Sequence, residues 1–190
     1  MRRDDIINGH ANSDSGIPKI SEEFFLLRHF TNRDPQILDQ NQKINYDYPK
    51  LLKNIKEMDS LYFRPAWAPR QWSLIDNSNR EFLFTFCLPS DQKKLAGFIF
   101  GEINRGQGNF EIYKVIVLPE FRRLGMATEL FEVLKSTLSG QSLECIILQV
   151  EQSNSPAVEA YSQWGFKKLR TIKNYYGNGH DALELYHSLV

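Results

Sequence analysis

The chain has 190 residues, enough for one sizeable hydrophobic core and too few for two domains with a linker. Lysine plus arginine equals aspartate plus glutamate at 23 each, so no overall field favours nucleic acid or an anionic membrane, and any bound anion must be held locally. No apolar run approaches the roughly 20 residues that span a bilayer, and the N-terminus lacks the apolar stretch of a secretory signal.

Residues 1–19 are rich in Asn, Ser, Asp and Gly without apolar periodicity, which predicts a flexible tail; residues 20–190 are expected to form one folded unit. Phe24 to Phe30 reads as a first strand. Leu51, Leu52, Ile55, Met58 and Leu61-Tyr62 then recur at helical spacing. Phe82 to Leu88 and Leu95 to Ile103 are apolar, aromatic-rich runs around Pro89-Ser90-Asp91-Gln92, the pattern of an antiparallel hairpin, and Phe110 to Leu118 makes a further strand.

From Met126 the period changes. Leu130, Phe131, Leu134 and Leu138 share one face of a 3.6-residue repeat that Gly140 ends, so an amphipathic helix is expected. Glu144 to Val150 reads as a buried strand, and Ser155-Pro156 as an N-cap followed by proline at the first helical position, with Gly165 closing that helix. Lys168 to Tyr176 and Ala182 to Tyr186 form two strands about the Gly177-Asn178-Gly179 turn. A mixed α/β fold with a partly antiparallel sheet follows, and the first half lacks the regularity of a doubly wound sheet.

Cys87 and Cys145 each lie in an apolar run, as buried free thiols of a reducing cytoplasm do. His10, His29 and His187 are scattered, so no metal site is expected. His180 beside Asp181 reads as a polar turn residue rather than a catalytic dyad.

The most informative stretch is the strand Val115-Ile116-Val117 running through Leu118-Pro119-Glu120-Phe121 into Arg122-Arg123-Leu124-Gly125-Met126-Ala127 and then the helix. A helix start leaves its first four N–H groups unpaired and carries a partial positive charge, so a loop entering it can wrap a pyrophosphate. Gly125 and Ala127 keep the backbone accessible, and Arg122 and Arg123 offer charge-assisted contacts. Solvated arginines before an ordinary helix give the same short pattern, so its context decides.

That context resembles the GNAT N-acetyltransferase superfamily. Arg-x-x-Gly-x-Ala between a Val-rich strand and an amphipathic helix is similar to its acetyl-CoA loop. Leu148-Gln149-Val150-Glu151-Gln152-Ser153-Asn154, Ala157-Val158-Glu159-Ala160-Tyr161 and Trp164-Gly165-Phe166 resemble its following strand, helix and Gly-Phe turn in register. Asn174-Tyr175-Tyr176 with Asp181-Ala182, and Phe63-Arg64-Pro65-Ala66-Trp67, are similar to segments of the protein N-terminal acetyltransferases, including those acting on ribosomal proteins.

The resemblance implies a mostly antiparallel sheet flanked by helices, with a central strand pair splayed to admit acetyl-CoA along Val115, Ile116 and Val117. Arg122 to Ala127, Thr128 and Asn154 would complete the cofactor site. It implies direct attack of a primary amine on the thioester, in a monomer or homodimer. Tyr161 stands where the family has a tyrosine that protonates the departing thiolate; taken alone it also reads as packing near Ala157 and Trp164. Relatives place Glu or His at Gln149, which as an amide cannot accept a proton. Glu111 matches a position where some relatives carry a catalytic tyrosine, and reads equally as base or as surface carboxylate. Phe63, Trp67, Tyr175 and Tyr176 would flank the acceptor.

An α-amine titrates near 7.7–8.0 and lysine near 10.4, so the missing base favours a peptide N-terminus over a lysine. A small amine such as a polyamine, amino acid or antibiotic, and an acyl-CoA-binding module without catalysis, are the alternatives. A Gly-Lys-Ser/Thr ending for a nucleotide triphosphate is missing from the loop.

Overall fold

The computed structural model describes residues 25–31, 48–63, 66–77, 80–89 and 95–190; the predicted tail 1–19 and the hairpin loop at 90–92 lie outside them. Strand β1 (Phe25–Thr31) is followed by helices α1 (Tyr48–Tyr62) and α2 (Pro69–Asn77) and strands β2 (Glu81–Pro89), β3 (Gly97–Asn104) and β4 (Asn109–Val117). Helix α3 (Met126–Leu138), β5 (Cys145–Glu151), α4 (Ser155–Gln163), β6 (Lys167–Gly177) and β7 (His180–Ser188) complete the order.

These elements follow from local pattern. Met126, Leu130, Phe131, Leu134 and Leu138 are the buried stripe of α3, each contributing roughly 1.5–3 kcal/mol of hydrophobic burial. In α1 the stripe is Leu51, Leu52, Ile55 and Met58. Strand β5 alternates half-buried and buried residues, whereas β3 is buried on both faces except at its last residue and so shows no alternation. Helix α4 departs from the expected cap by one residue: the N-cap is Asn154, whose side chain accepts from the Ala157 N–H, and Ser155 is already helical.

Seven strands form one sheet in the order β1-β2-β3-β4-β5-β7-β6, antiparallel throughout except for the central β4–β5 pair. One face packs on α3 and α4, around Phe110, Ile112, Phe131, Ile146 and Leu148. The other packs on α1 and α2, around Ile55, Trp72, Phe84, Phe100 and Ile116. No helix among the described residues is long and apolar enough to cross a membrane. Cys145 is a free, half-buried thiol; the side chain of Cys87 lies outside the described residues.

Candidate active site

The sheet opens at its centre. Strands β4 and β5 pair in parallel only from Asn109↔Cys145 to Ile112↔Leu148, and the pairing stops there. Its end coincides with a β-bulge against β3: Phe100 faces Lys114 and Gly101 faces Ile112, so Tyr113 is the extra residue. A bulge bends its strand and sharpens its twist, which turns the rest of β4 away from β5.

The bulge also exchanges faces. Phe110 and Ile112 lie in the α3–α4 core, whereas Ile116 lies in the α1–α2 core and Val115 and Val117 pack towards α3–α4. Past the bulge, Val115, Ile116 and Val117 still pair with Ile99, Phe98 and Gly97 of β3, and no strand among the described residues pairs their other edge.

Beyond β4 a short 3-10 turn, Pro119–Phe121, leads into the predicted anion loop. Arg123 (φ 59°) and Gly125 (φ 79°) are left-handed, and Gly125 is the N-cap of α3, with its carbonyl accepting from the N–H groups of Thr128 and Glu129. The backbone N–H groups of Arg123, Gly125, Met126 and Ala127 find no backbone acceptor at hydrogen-bond distance among the described residues. A run of free donors at a helix N-terminus is the arrangement that cradles a phosphate. The Arg122 Nε donates to the Val117 carbonyl at 2.9 Å, tying the loop to the end of β4. Thr128 Oγ1 accepts from the Trp164 indole at 3.1 Å, and the side chain of Asn154 is engaged in capping α4.

On α4, Tyr161 stands edge-on to Trp164 and Phe166, at ring distances of 5.5 and 5.7 Å. Its hydroxyl makes no hydrogen bond among the described residues. Burial, with the nearby Tyr176, raises its phenol well above the ordinary value, so it stays protonated at neutral pH. Tyr176 itself is pushed up to about 12, chiefly by burial. Tyr175 and Tyr176 pack edge to face at 4.9 Å at the end of β6.

The opposite face carries a polar row. Glu102 and Glu111 are cross-strand partners on β3 and β4, and Gln149 and Glu184 are partners on β5 and β7. Arg80 forks onto buried Glu102, and the Tyr113 hydroxyl donates to Glu102 at 2.5 Å; Arg170 pairs with Glu184 at 2.9 Å. Among the described residues no cation forms an ion pair with Glu111, and the charge of Arg80 acts on it only from a distance. Burial raises its pKa above the usual carboxylate range, Gln149 opposes that shift, and Glu102 adds to it. Trp67 reaches Tyr113, the residue two after Glu111 on β4, at 5.4 Å, and burial followed by the charge of Glu111 raises the Tyr175 phenol. Phe63 lies under the Lys114 ammonium at 4.2 Å.

Sequence reasoning did not find Arg80, Glu102, Tyr113, Lys114 or Asp59. The available signal was a charge inside an apolar strand, Glu102 in β3 and Lys114 in β4, which reads as solvent-facing until the bulge and the covering helices are known. His180 does not form a dyad with Asp181: its Nδ1 lies 2.6 Å from Glu151, and Asp181 pairs with Lys173 at 2.6 Å. Among the described residues no group of three or more His, Cys, Asp or Glu could hold a metal ion.

Residues 52–166 match the model of the acetyltransferase (GNAT) family. An N-alpha-acetyltransferase of Saccharolobus solfataricus is 29% identical over 175 residues, which cover 82% of this chain and 90% of that protein. Two solved structures share the fold. The ribosomal-protein-S18-alanine N-acetyltransferase of Escherichia coli superposes with TM-score 0.61 at 20% identity, covering 73% of this chain and 87% of its own. Arabidopsis thaliana Naa50 in complex with the bisubstrate analogue CoA-Ac-MVNAL gives TM-score 0.63 at 20% identity, covering 73% and 93%.

Proposed function

The chain belongs to the acetyltransferase (GNAT) family, and from that premise we propose that it transfers acetyl from acetyl-CoA to the α-amine at the N-terminus of a peptide or protein. The observation that carries this reading is the opening between β4 and β5: just before it β4 carries Glu111, and past it β4 runs through the left-handed loop into the start of α3. The match to an archaeal N-alpha-acetyltransferase over most of both chains, and the peptide-bearing analogue held by a structural neighbour, support the acceptor class.

In this reading the N–H groups of Arg123 to Ala127 hold the pyrophosphate, with Arg122, Thr128 and Asn154 shaping the loop and the helix ends around it. The pantetheine arm lies along Val115 to Val117, whose free edge replaces a strand partner. An α-ammonium enters between Phe63, Trp67, Tyr175 and Tyr176 and gives its proton to Glu111, directly or through one water. The amine nitrogen then attacks the thioester carbonyl. As the tetrahedral intermediate collapses the C–S bond breaks, the Tyr161 hydroxyl protonates the thiolate, and the nitrogen gives up its second proton, which returns to the tyrosinate through solvent, leaving amide, coenzyme A and a protonated Glu111 that releases its proton to solvent. Gln149 takes no proton and instead favours the charged form of Glu111.

Nothing in this chemistry calls for a metal. The catalytic unit is taken as residues 20–190, acting in the cytoplasm as a monomer or homodimer. The test is thiol release from acetyl-CoA with short peptides of varied first residue, alongside polyamines, lysine analogues and aminoglycosides. Turnover with peptides supports the reading. Turnover with small amines alone replaces it with metabolite or drug acetylation, and tight acetyl-CoA binding with no turnover replaces it with an acyl-CoA-binding role.

A further inference from the structure

An ion pair is buried between α1 and β4, against Phe63, Trp67 and Trp72. Asp59, 1% exposed, and Lys114, 4% exposed, meet with Nζ 2.5 Å from Oδ1. The other carboxylate oxygen accepts from the Trp67 backbone N–H at 2.7 Å and from the Trp72 indole at 3.3 Å. The same ammonium lies 4.2 Å from the Phe63 ring centre and 5.3 Å from that of Trp67. One pair therefore gathers the last turn of α1, the segment after it, α2 and β4.

Stability alone is a poor reason for such a pair. Removing two charges from water costs several kcal/mol, and well-packed neutral residues of similar volume commonly do as well or better. Lys114 is also the first residue after the Tyr113 bulge, and the bulge places it on the α1–α2 face. Residues 66–68 belong to no helix or strand, so their position rests on contacts such as these.

We propose that Lys114 and Asp59 are positioning residues for the acceptor: their buried pair seats Phe63 and Trp67 against β4 at the point where it leaves β5, so that acceptor binding depends on the pair and acetyl-CoA binding does not. This rests on the reading of Phe63 and Trp67 as one wall of the acceptor site. The cation fixes the rings through their faces, and the carboxylate fixes the Trp67 backbone N–H.

The experiment uses the full chain with Lys114→Met and the double substitution Asp59→Asn with Lys114→Met. The single variant leaves a buried carboxylate without its cation and is expected to unfold at lower temperature. The double variant keeps an acceptor for the Trp67 N–H, removes both charges and is expected to fold like the wild type. Two readouts are taken on the double variant: hydrogen exchange at the Trp67 amide without any substrate, and Michaelis constants for each substrate. The expected result is faster exchange at Trp67 and an acceptor KM raised about tenfold with acetyl-CoA KM changed less than about twofold.

Wild-type exchange at Trp67 would overturn the seating. Faster exchange with an unchanged acceptor KM, or with both KM values raised together, would overturn the positioning role. The exchange measurement needs no acceptor, and the KM is read on whichever amine the wild type turns over. Failure of the peptide reading is therefore seen separately, in the wild-type substrate panel.

Discussion

The hydroxyl of Tyr176 donates to the backbone carbonyl of Gln149 at 3.2 Å, fastening the end of β6 to β5 just beyond its last pairing with β4. In the proposed reading, Gln149, where relatives are expected to place a base, is thus held by an aromatic of the proposed acceptor wall. Burial, and after it Tyr176, raises the Tyr161 phenol. In the proposed reading Tyr176 is therefore the residue that links the candidate proton donor to the proposed acceptor wall. Tyr176→Phe keeps the ring and loses this bond, and the expected outcome is an acceptor KM raised roughly fivefold, near the 1 kcal/mol of a typical hydrogen bond, with acetyl-CoA KM unchanged.

Tyr161→Phe tests the proton donor. Its hydroxyl makes no hydrogen bond among the described residues, and its ring contacts with Trp164 and Phe166 survive in phenylalanine, so the fold and acetyl-CoA affinity should persist. Turnover should fall by about 10²-fold or more, the usual contribution of a general acid. Calorimetric acetyl-CoA binding beside steady-state rates checks both halves; an unchanged kcat would remove Tyr161 from the mechanism.

Glu111→Gln separates catalysis from stability. Burial raises the folded-state pKa, so the native state holds its proton more tightly than the unfolded chain does. Stability is therefore lost as pH rises from the ordinary carboxylate range through the raised value, and at neutral pH the charged Glu111 is a burden on the fold. The glutamine variant should melt at the same temperature as the wild type or higher. A base must be deprotonated, so wild-type kcat/KM should decline on the acid side as pH falls through that same value. The variant should lose this limb and about 10²-fold in rate. Superimposable pH profiles would reject Glu111 as base.

Most elements were legible because their signals are local. The α3 stripe at Leu130, Phe131, Leu134 and Leu138 and the β6–β7 turn at Gly177-Asn178-Gly179 need only nearest neighbours, and both stand where periodicity puts them. The loop that enters α3 at Gly125 was legible for the same reason. What was not legible is non-local. An alternating strand gives no sign that Tyr113 is an extra residue, and a one-residue bulge reverses every face assignment after it, so Lys114, which strict alternation sets beside Ile112 on the α3–α4 face, is buried on the α1–α2 face against Asp59. Arg80, Glu102 and Tyr113 are far apart in sequence and meet only through strand register. The α4 cap slipped by one residue because Asn154 and Ser155 are both good caps, and Asn154 is the one whose oxygen meets the Ala157 N–H.

Gly125 is the residue of the anion loop that geometry constrains most. At φ 79° and ψ −4° it reverses the chain directly into α3, presenting the N–H groups around it. A β-branched side chain in that conformation costs about 1–2 kcal/mol or flattens the turn. Gly125→Val should raise acetyl-CoA KM at least roughly tenfold, because the donors no longer converge. The acceptor KM at saturating acetyl-CoA should stay near wild type. A variant with normal acetyl-CoA affinity would show that the phosphates bind elsewhere.

Gly101 tests whether the bulge makes the opening. A Cβ there would overlap the Glu111 backbone oxygen and lie 2.5 Å from the Phe110 Cζ, so neither strand can stay in place if a methyl is added. Overpacking of this kind costs about 1–3 kcal/mol, or roughly 3–10 °C in Tm for a chain of this size. The functional consequence goes further than the stability loss. Glu111 sits directly across from Glu102, next to Gly101, and the strand that carries it also carries Val115 to Val117 past the bulge. Displacing β4 at this point shifts the carboxylate and the free strand edge together. Gly101→Ala, assayed below its melting transition, is therefore expected to weaken acetyl-CoA binding and also to lower kcat, unlike any of the side-chain variants above. If it unfolds earlier but keeps wild-type constants when folded, the bulge serves packing alone and the opening has another cause.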